Sequence, residues 1–148
     1  YRAGAMAAGG KVAIEAIPGY LPLNDCTSMA DVFRRNAGQF VGAENVAELG
    51  HVASSTDMGD VTQIMPATHP SIGGAVGNAH SAEFRITDPE LAYVVPAKVM
   101  AMCAIDLLCN DAALARDIVK RNPPLLSRAA YKQALEAQSA REIHDYME

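Results

Sequence analysis

The sequence lacks any concentrated run of basic residues. Its 12 lysines and arginines are scattered along 148 residues and are outnumbered by 17 aspartates and glutamates, which gives a formal net charge of −5. Proteins that bind nucleic acid usually neutralise phosphates with a clustered positive stripe. We therefore expect no nucleic-acid partner for this chain.

Cysteines are also few. Cys26, Cys103 and Cys109 form an odd-numbered set whose spacing fits neither a disulfide framework nor a CxxC metal clip. Two of them fall in a strongly apolar helical segment, where a thiol usually acts as a small hydrophobic side chain. This pattern favours a reducing, cytoplasmic compartment.

The sequence shows no signal peptide, and its longest apolar stretch is not free of charge. That stretch, residues 91–109, contains Pro96, Lys98 and Asp106. Each of the two charges would cost roughly 3 kcal/mol at the centre of a bilayer. We predict a buried helix of a soluble protein here and expect no membrane partner.

Apolar residues, in contrast, are plentiful, since they make up 50% of the chain. A chain of this length and composition can bury a core of its own, so one compact unit is the first expectation. The chain opens at Tyr1 within an alanine-rich stretch typical of the end of a helix. We expect these residues to continue a longer polypeptide.

Predicted strands and helices alternate along the chain. Residues 11–17 alternate polar and apolar side chains, as a half-buried strand does, and Pro18 ends the pattern. Ser28 can cap a helix that continues to about Phe40. The other predicted elements are strands at 46–53 and 61–65, a helix at 88–109 buried against a sheet, a helix capped by Asp111, and a surface helix at about 127–146. This order is typical of an α/β layered fold.

Residues 66–81 contain two prolines, three glycines and two histidines, which predicts a loop. Loops often carry functional residues, and a neutral imidazole is a good zinc ligand. His69 and His80 are therefore candidates for a cleft. His51, in a predicted strand, and His144, in the predicted final helix, are interpreted as structural and surface residues.

Two carboxylates, Asp57 and Asp60, share the turn-rich segment 54–60. Such a pair can bind a metal or act as acid and base. Serine, threonine, aspartate and glycine also form turns and helix caps by bonding their own backbone, which is the more common role. Taken without a family, these residues indicate only a soluble α/β domain with a polar cleft.

Four ordered segments carry a resemblance to a known family. They are IPGYLPL at 17–23, SSTDMGDV at 54–61, MPATHP at 65–70 and HSAEF at 80–84. Their order and spacing resemble the closing third of the aminoacylase and zinc-carboxypeptidase-like amidohydrolases, especially the branch that includes aminobenzoyl-glutamate hydrolase. Residues 96–98 and 104–108 extend the resemblance to about Asn110.

The resemblance implies a catalytic α/β domain interrupted by a smaller α+β lid. Residues 1–23 would be the end of the lid, through which the intact protein would form a homodimer. Residues 24–148 would be the C-terminal half of the catalytic domain, a partial zinc-peptidase-like layered fold. The implied substrates are small amides: N-acyl amino acids, dipeptides or aminobenzoyl-glutamate-like compounds.

The resemblance also implies roles for particular residues. His80 corresponds to a metal-binding histidine of the family, whose divalent cation would be zinc, with manganese, cobalt or nickel as alternatives. Ser55, Thr56 and Asp57 correspond to the segment that lines the substrate pocket. His69 is a further candidate cleft residue.

The family's other metal ligands and its general base have no counterpart here. The chain contains no His-x-Asp, no Cys-x-His and no Glu-Glu pair. Since a hydrolytic metal site typically needs three protein ligands, we expect no catalytic residue in this chain and no activity from it alone. The alternative is a non-catalytic binding or structural domain that retains the fold.

Overall fold

The computed structural model describes residues 1–48, 50 and 56–147. Within them, helices are combined with two small sheets, which confirms a mixed α/β composition. The helices are α1 (Arg2–Ala7), α2 (Thr27–Val41), α3 (Met58–Ile64), α4 (Val95–Arg121) and α5 (Arg128–Gln138). The strands are β1 (Lys11–Ala16), β2 (Ala75–Val76), β3 (Arg85–Ile86) and β4 (Ala140–Asp145), and short turns of 3-10 and π helix span Ala43–Asn45 and Glu90–Val94.

Each sheet has two antiparallel strands. β1 pairs with β4, and β2 pairs with β3. The strand predicted from the alternation at 11–17 is confirmed as β1. Lys11 lies opposite Asp145, and their side chains form an ion pair of 3.3 Å. The hydrogen bond from the backbone N–H of Met147 has the largest effect on the pKa of the Asp145 carboxyl, which it lowers. The interaction with Lys11 lowers this pKa further.

The last predicted helix is shorter than expected. The Ser127 hydroxyl caps α5 by accepting the N–H of Ala130 at 3.1 Å, so the predicted start is confirmed. The prediction that the helix continues to Tyr146, with His144 on it, is wrong, because the chain turns extended at Ser139 and forms β4. Pairing with β1, far away in sequence, overrides the local helical tendency.

The segment 61–65, predicted as a strand, lies largely within α3, so that prediction is wrong. A short apolar run does not distinguish a strand from a buried helical turn by periodicity. The predicted strand at 46–53 continues into residues outside those that the structure describes, and His51 is one of them. Residues 46–48 have no regular secondary structure.

The hydrophobic core lies between α2 and α4. Val99 is fully buried and packs with Ala37 and Val95, while Cys26, Val32 and Ile118 form the neighbouring cluster. The prediction that the long helix is buried against a sheet is wrong for the described residues, because α2 is its packing partner and its other side is exposed. Cys103 contacts both clusters, as a small hydrophobic residue would, whereas Cys109 is exposed.

The start of the long helical segment is confirmed. The Asp88 carboxylate accepts the N–H of Leu91 at 3.0 Å and caps it. The first turn is π-helical and ends at Val94, shortly before Pro96, which has no N–H to donate within the helix. By length and composition alone Glu90–Arg121 could cross a membrane, a property that core helices of soluble proteins share.

The break predicted near Asp111 is present inside α4. Asn110, Asp111 and Ala112 have left-handed backbone angles, with φ of 51°, 57° and 54°. Asparagine and aspartate tolerate this region, but alanine is strained there because its Cβ crowds the backbone. The helix resumes after Ala112 and packs Ile118 into the core.

Replacing Ala112 with glycine should therefore stabilise the protein by about 1 kcal/mol, because glycine adopts this backbone without strain. Ala113→Gly is the matched control, since residue 113 is helical and glycine there should cost about 1 kcal/mol. Denaturant midpoints of the two variants should move in opposite directions. Equal destabilisation by both would contradict the left-handed assignment of Ala112.

Candidate functional site

Family-like segments meet around α3. The backbone N–H of Leu21 donates to the Asp60 carboxylate at 2.9 Å, and the N–H of Asn24 donates to the Thr62 hydroxyl at the same distance. Gln63 donates its side-chain amide to the carbonyl of Pro22 at 2.6 Å. The extended segment after β1 is thereby fixed along α3.

The loop that follows α3 is held by the same extended segment. The N–H of Cys26 donates to the carbonyl of Ala67 at 2.9 Å, and the N–H of His69 donates to the Asp25 carboxylate at 3.2 Å. The segments 17–23, 56–61 and 65–70 thus belong to one hydrogen-bonded unit, which we call the α3 cluster. His69 enters it through its backbone, while the residue as a whole is exposed.

The C-terminal helix α5 closes the α3 cluster on another side. The N–H of Leu126 donates to the carbonyl of Gln63 at 3.0 Å. Tyr131 lies against Asp60. Partial burial is the main cause that raises the pKa of the Tyr131 hydroxyl, and the interaction with the Asp60 carboxylate raises it further. The Asp60 carboxylate therefore interacts with structural partners, Leu21 and Tyr131, and is not free to act as a general acid or base.

Thr56 and Asp57 lie at the start of α3. The Thr56 hydroxyl donates to the Asp57 carboxylate at 3.1 Å and accepts the N–H of Met58 at 3.4 Å. This is the turn-forming role expected for such residues from the sequence. Asp57 is exposed and Thr56 is half-buried. Ser55, the third predicted substrate-binding residue, lies outside the described residues.

His80 lies in the connection between β2 and β3. Both the N–H and the hydroxyl of Ser81 donate to the carbonyl of Asn78, at 3.2 and 2.8 Å, and His80 sits inside this turn with φ of 63°. The residue is exposed rather than packed into the interior. It is therefore accessible to a ligand, as a metal-binding role requires.

The residues present do not complete a metal site around His80. Across residues 1–48, 50 and 56–147, no group of three or more His, Cys, Asp or Glu side chains is arranged to hold a metal ion. Nor, in this part of the chain, does a hydrogen bond join the His80 turn to the α3 cluster. One histidine does not fit a hydrolytic cation without ligands from elsewhere.

The sequence reasoning missed a polar cleft of about 170 Å³ beside the α3 cluster. Its walls come from the start of α2, the end of α3 and the turn after α4. The lining residues are Asn24, Asp25, Cys26, Thr27, Thr62, Met65, Pro66, Asn122, Pro123 and Pro124. The sequence signals were the polar run NDCT at 24–27 and the NPP turn at 122–124. None of the predicted site residues lines this cleft.

Comparison of the chain with models of known protein families, with curated proteins and with solved structures finds no match. The link to the amidohydrolases therefore remains a resemblance carried by the motifs in the sequence.

Proposed function

We propose that this chain is the C-terminal part of a metal-dependent amidohydrolase. The intact protein would cleave the amide bond of N-acyl amino acids, dipeptides or aminobenzoyl-glutamate-like compounds. The finer fold, a zinc-peptidase-like layered domain preceded by the end of a lid, belongs to the same proposal. The observation that carries it is the convergence of three of the four matching segments, 17–23, 54–61 and 65–70, in the α3 cluster.

That convergence matters because the matching segments are short, and the first of them, 17–23, is separated from 54–61 and 65–70 in the sequence by the whole of α2. Short strings that match by chance have no physical reason to contact one another in the fold. Here the backbone N–H of Leu21 donates to Asp60, and the backbone N–H of His69 donates to Asp25 in the stretch that continues the first matching segment. The matching residues also have structural reasons for their identity, such as the close approach of Gly59 to Leu21.

In this proposal His80 would bind one divalent cation, zinc first, through a ring nitrogen. The cation would polarise the scissile carbonyl. The other ligands and the general base would come from polypeptide outside this chain, so the isolated chain would be inactive. Thr56 and Asp57, with Ser55, would contact the substrate at the start of α3.

The remaining features follow from the same proposal. A small-molecule amide would be the substrate, the intact protein would be a cytoplasmic homodimer, and residues 1–23 would contribute to its lid. A non-catalytic binding or structural domain is the second candidate. It is favoured by the incomplete ligand set among the described residues.

Substitution of His80 by alanine in the full-length gene product should abolish hydrolysis of such amides. Outer-shell partners of metal ligands already contribute 10–100-fold, so loss of a direct ligand should lower kcat/KM by about 100-fold or more. A chelator should have the same effect, and added zinc should restore activity to the parent but not to His80→Ala.

His144→Ala is the matched control, because it removes a histidine that bonds Glu142 in the exposed β1–β4 ribbon. It should keep full activity. If His80→Ala were as active as His144→Ala, the metal-binding role would be wrong. Absence of any chelator-sensitive hydrolysis in the parent would favour the binding domain instead.

A further inference from the structure

The break inside α4, residues 109–112, contains three consecutive residues in the left-handed region. Asn110, Asp111 and Ala112 have φ of 51°, 57° and 54°, and none of them is a glycine. Residues with a Cβ are sterically strained in this region and normally occur there singly, so a run of them persists only where the surrounding structure holds it. The rest of the fold therefore stabilises a strained conformation here.

The break allows the second part of α4 to reach the core. Val99, before the break, packs with Ala37 of α2, and Ile118, after it, packs with Cys26 at the start of α2. Along α2 these two partners lie about 16 Å apart, whereas a continuous helix would separate Val99 from Ile118 by about 28 Å. A straight α4 would therefore carry Ile118 about 12 Å past the end of α2.

Two opposing contributions act on the break. Burial of Ile118, which is 2% exposed, and partial burial of Leu114 favour this folded-back form of α4. The strain of the three left-handed residues favours a continuous helix, in which Leu107, Leu114 and Ile118 would still share one face because of their helical spacing. The two contributions are of the same order, so the two forms lie close in free energy.

The folded-back form closes one side of the polar cleft. The turn that follows α4 forms a wall of this cleft with Asn122, Pro123 and Pro124. The Asn122 amide donates to the Ser28 hydroxyl at 3.4 Å and so holds this wall to α2. Cys26, which also lines the cleft, is only 8% exposed. Straightening of α4 would withdraw the wall and expose Cys26 to solvent.

The connection after α4 can follow this movement. Residues 122–127 form neither helix nor strand. Their far end is held by the N–H of Leu126, which donates to the carbonyl of Gln63 at 3.0 Å. An extended chain of this length reaches about 16 Å, so α5 can stay on α3 while the end of α4 moves away.

We propose that the break in α4 is a hinge, which converts α4 between the folded-back form and a continuous helix and thereby closes and opens the polar cleft. The first part of α4 keeps its packing on α2 in both forms, through Val95 and Val99. The movement is therefore confined to the residues after the break and to the cleft wall that they carry. This hinge does not depend on the proposed amidohydrolase activity.

Alkylation of the purified protein by iodoacetamide, quantified separately for each cysteine, tests the hinge. Opening exposes Cys26, whereas Cys103 stays against the Asn36 amide of α2 in both forms. The ratio of the Cys26 rate to the Cys103 rate therefore measures opening of the cleft and is insensitive to global unfolding, which exposes both thiols.

Two substitutions at the break should move this ratio in opposite directions. Asn110→Ala disfavours the left-handed backbone and favours the helix, so it should raise the ratio about fivefold. Ala112→Gly relieves the strain of the folded-back form and weakens the continuous helix, so it should lower the ratio by about the same factor. Neither residue lies in the core, so both variants should fold.

Ala113→Gly is the matched control, because residue 113 is helical in the folded-back form and would be helical in the continuous one. It should leave the ratio unchanged even where it lowers the midpoint of unfolding. A ratio that neither Asn110→Ala nor Ala112→Gly changes would overturn the hinge. So would equal changes in the rates of Cys26 and Cys103 in every variant, since both thiols would then react only through global unfolding.

Discussion

Gly59→Ala should destabilise the protein by about 3 kcal/mol, because its methyl group would collide with backbone rather than with a movable side chain. A Cβ at residue 59 would overlap the carbonyl oxygen of Leu21. Relief of that overlap requires the extended segment to move away from α3. The movement would weaken the hydrogen bonds from Leu21 to Asp60 and from Gln63 to Pro22, each of which contributes about 1 kcal/mol.

Thermal or chemical unfolding of the purified chain measures this effect. Gly4→Ala is the matched control, because Gly4 is also helical and a Cβ there meets nothing within 4 Å. The control should be neutral or stabilising by up to about 1 kcal/mol, since alanine is the better helix former. Equal midpoints for the two variants would show that Leu21 does not pack on α3.

Asn36→Asp should destabilise the protein by about 3 kcal/mol or more at pH 7. Asn36 is 2% exposed, and its amide donates to the Asp106 carboxylate at 2.9 Å and to the carbonyl of Val32 at 3.2 Å. The substitution keeps the shape but replaces the donor with a buried negative charge beside another carboxylate. A buried charge without a compensating partner costs several kcal/mol.

The pH dependence of Asn36→Asp distinguishes charge from packing. Burial and the neighbouring Asp106 would raise the folded-state pKa of the introduced carboxyl above its unfolded value of about 3.9. The destabilisation is therefore largest at pH values above the folded-state pKa of this carboxyl, and it shrinks as the pH falls towards the unfolded-state pKa.

Gln133→Glu makes the same chemical change at an exposed position of α5 and should shift stability by less than about 0.5 kcal/mol. Destabilisation by Asn36→Asp that did not change with pH would indicate loss of packing instead.

Local sequence signals located the elements whose ends are set by side chains near in sequence. Asp88 and Ser127 cap the helices that they were predicted to start. A break is present near Asp111, but the Asp111 carboxylate accepts from Arg116 rather than capping the next helix. The prediction that Ser28 caps α2 is wrong, because the helix begins at Thr27, after Cys26, with no side-chain cap. The strand at 11–17 followed from its alternation alone. Each of the confirmed features depends on a few neighbouring residues, so the sequence displays it directly.

Elements that depend on distant partners could not be predicted in the same way. Residues 140–145 became a strand because β1 offers them a hydrogen-bonding edge, and residues 61–64 became helical because α3 packs on the segment around Leu21. Neither partner is visible within the local window. The polar cleft near Cys26 and Thr62 is likewise assembled from three distant segments.

For the candidate site, the sequence by itself determined which residue types are present: two loop histidines suited to a cleft, His69 and His80, of which the resemblance assigns His80 to a metal, and no partner motif to complete its ligand set. The tertiary structure decided where these residues lie, with His80 at the surface, Thr56 and Asp57 at the start of α3, and Asp60 engaged with Leu21. The reason is physical. Residue identity fixes the chemistry that a side chain can perform, but long-range packing and backbone hydrogen bonds fix which groups meet and which remain exposed.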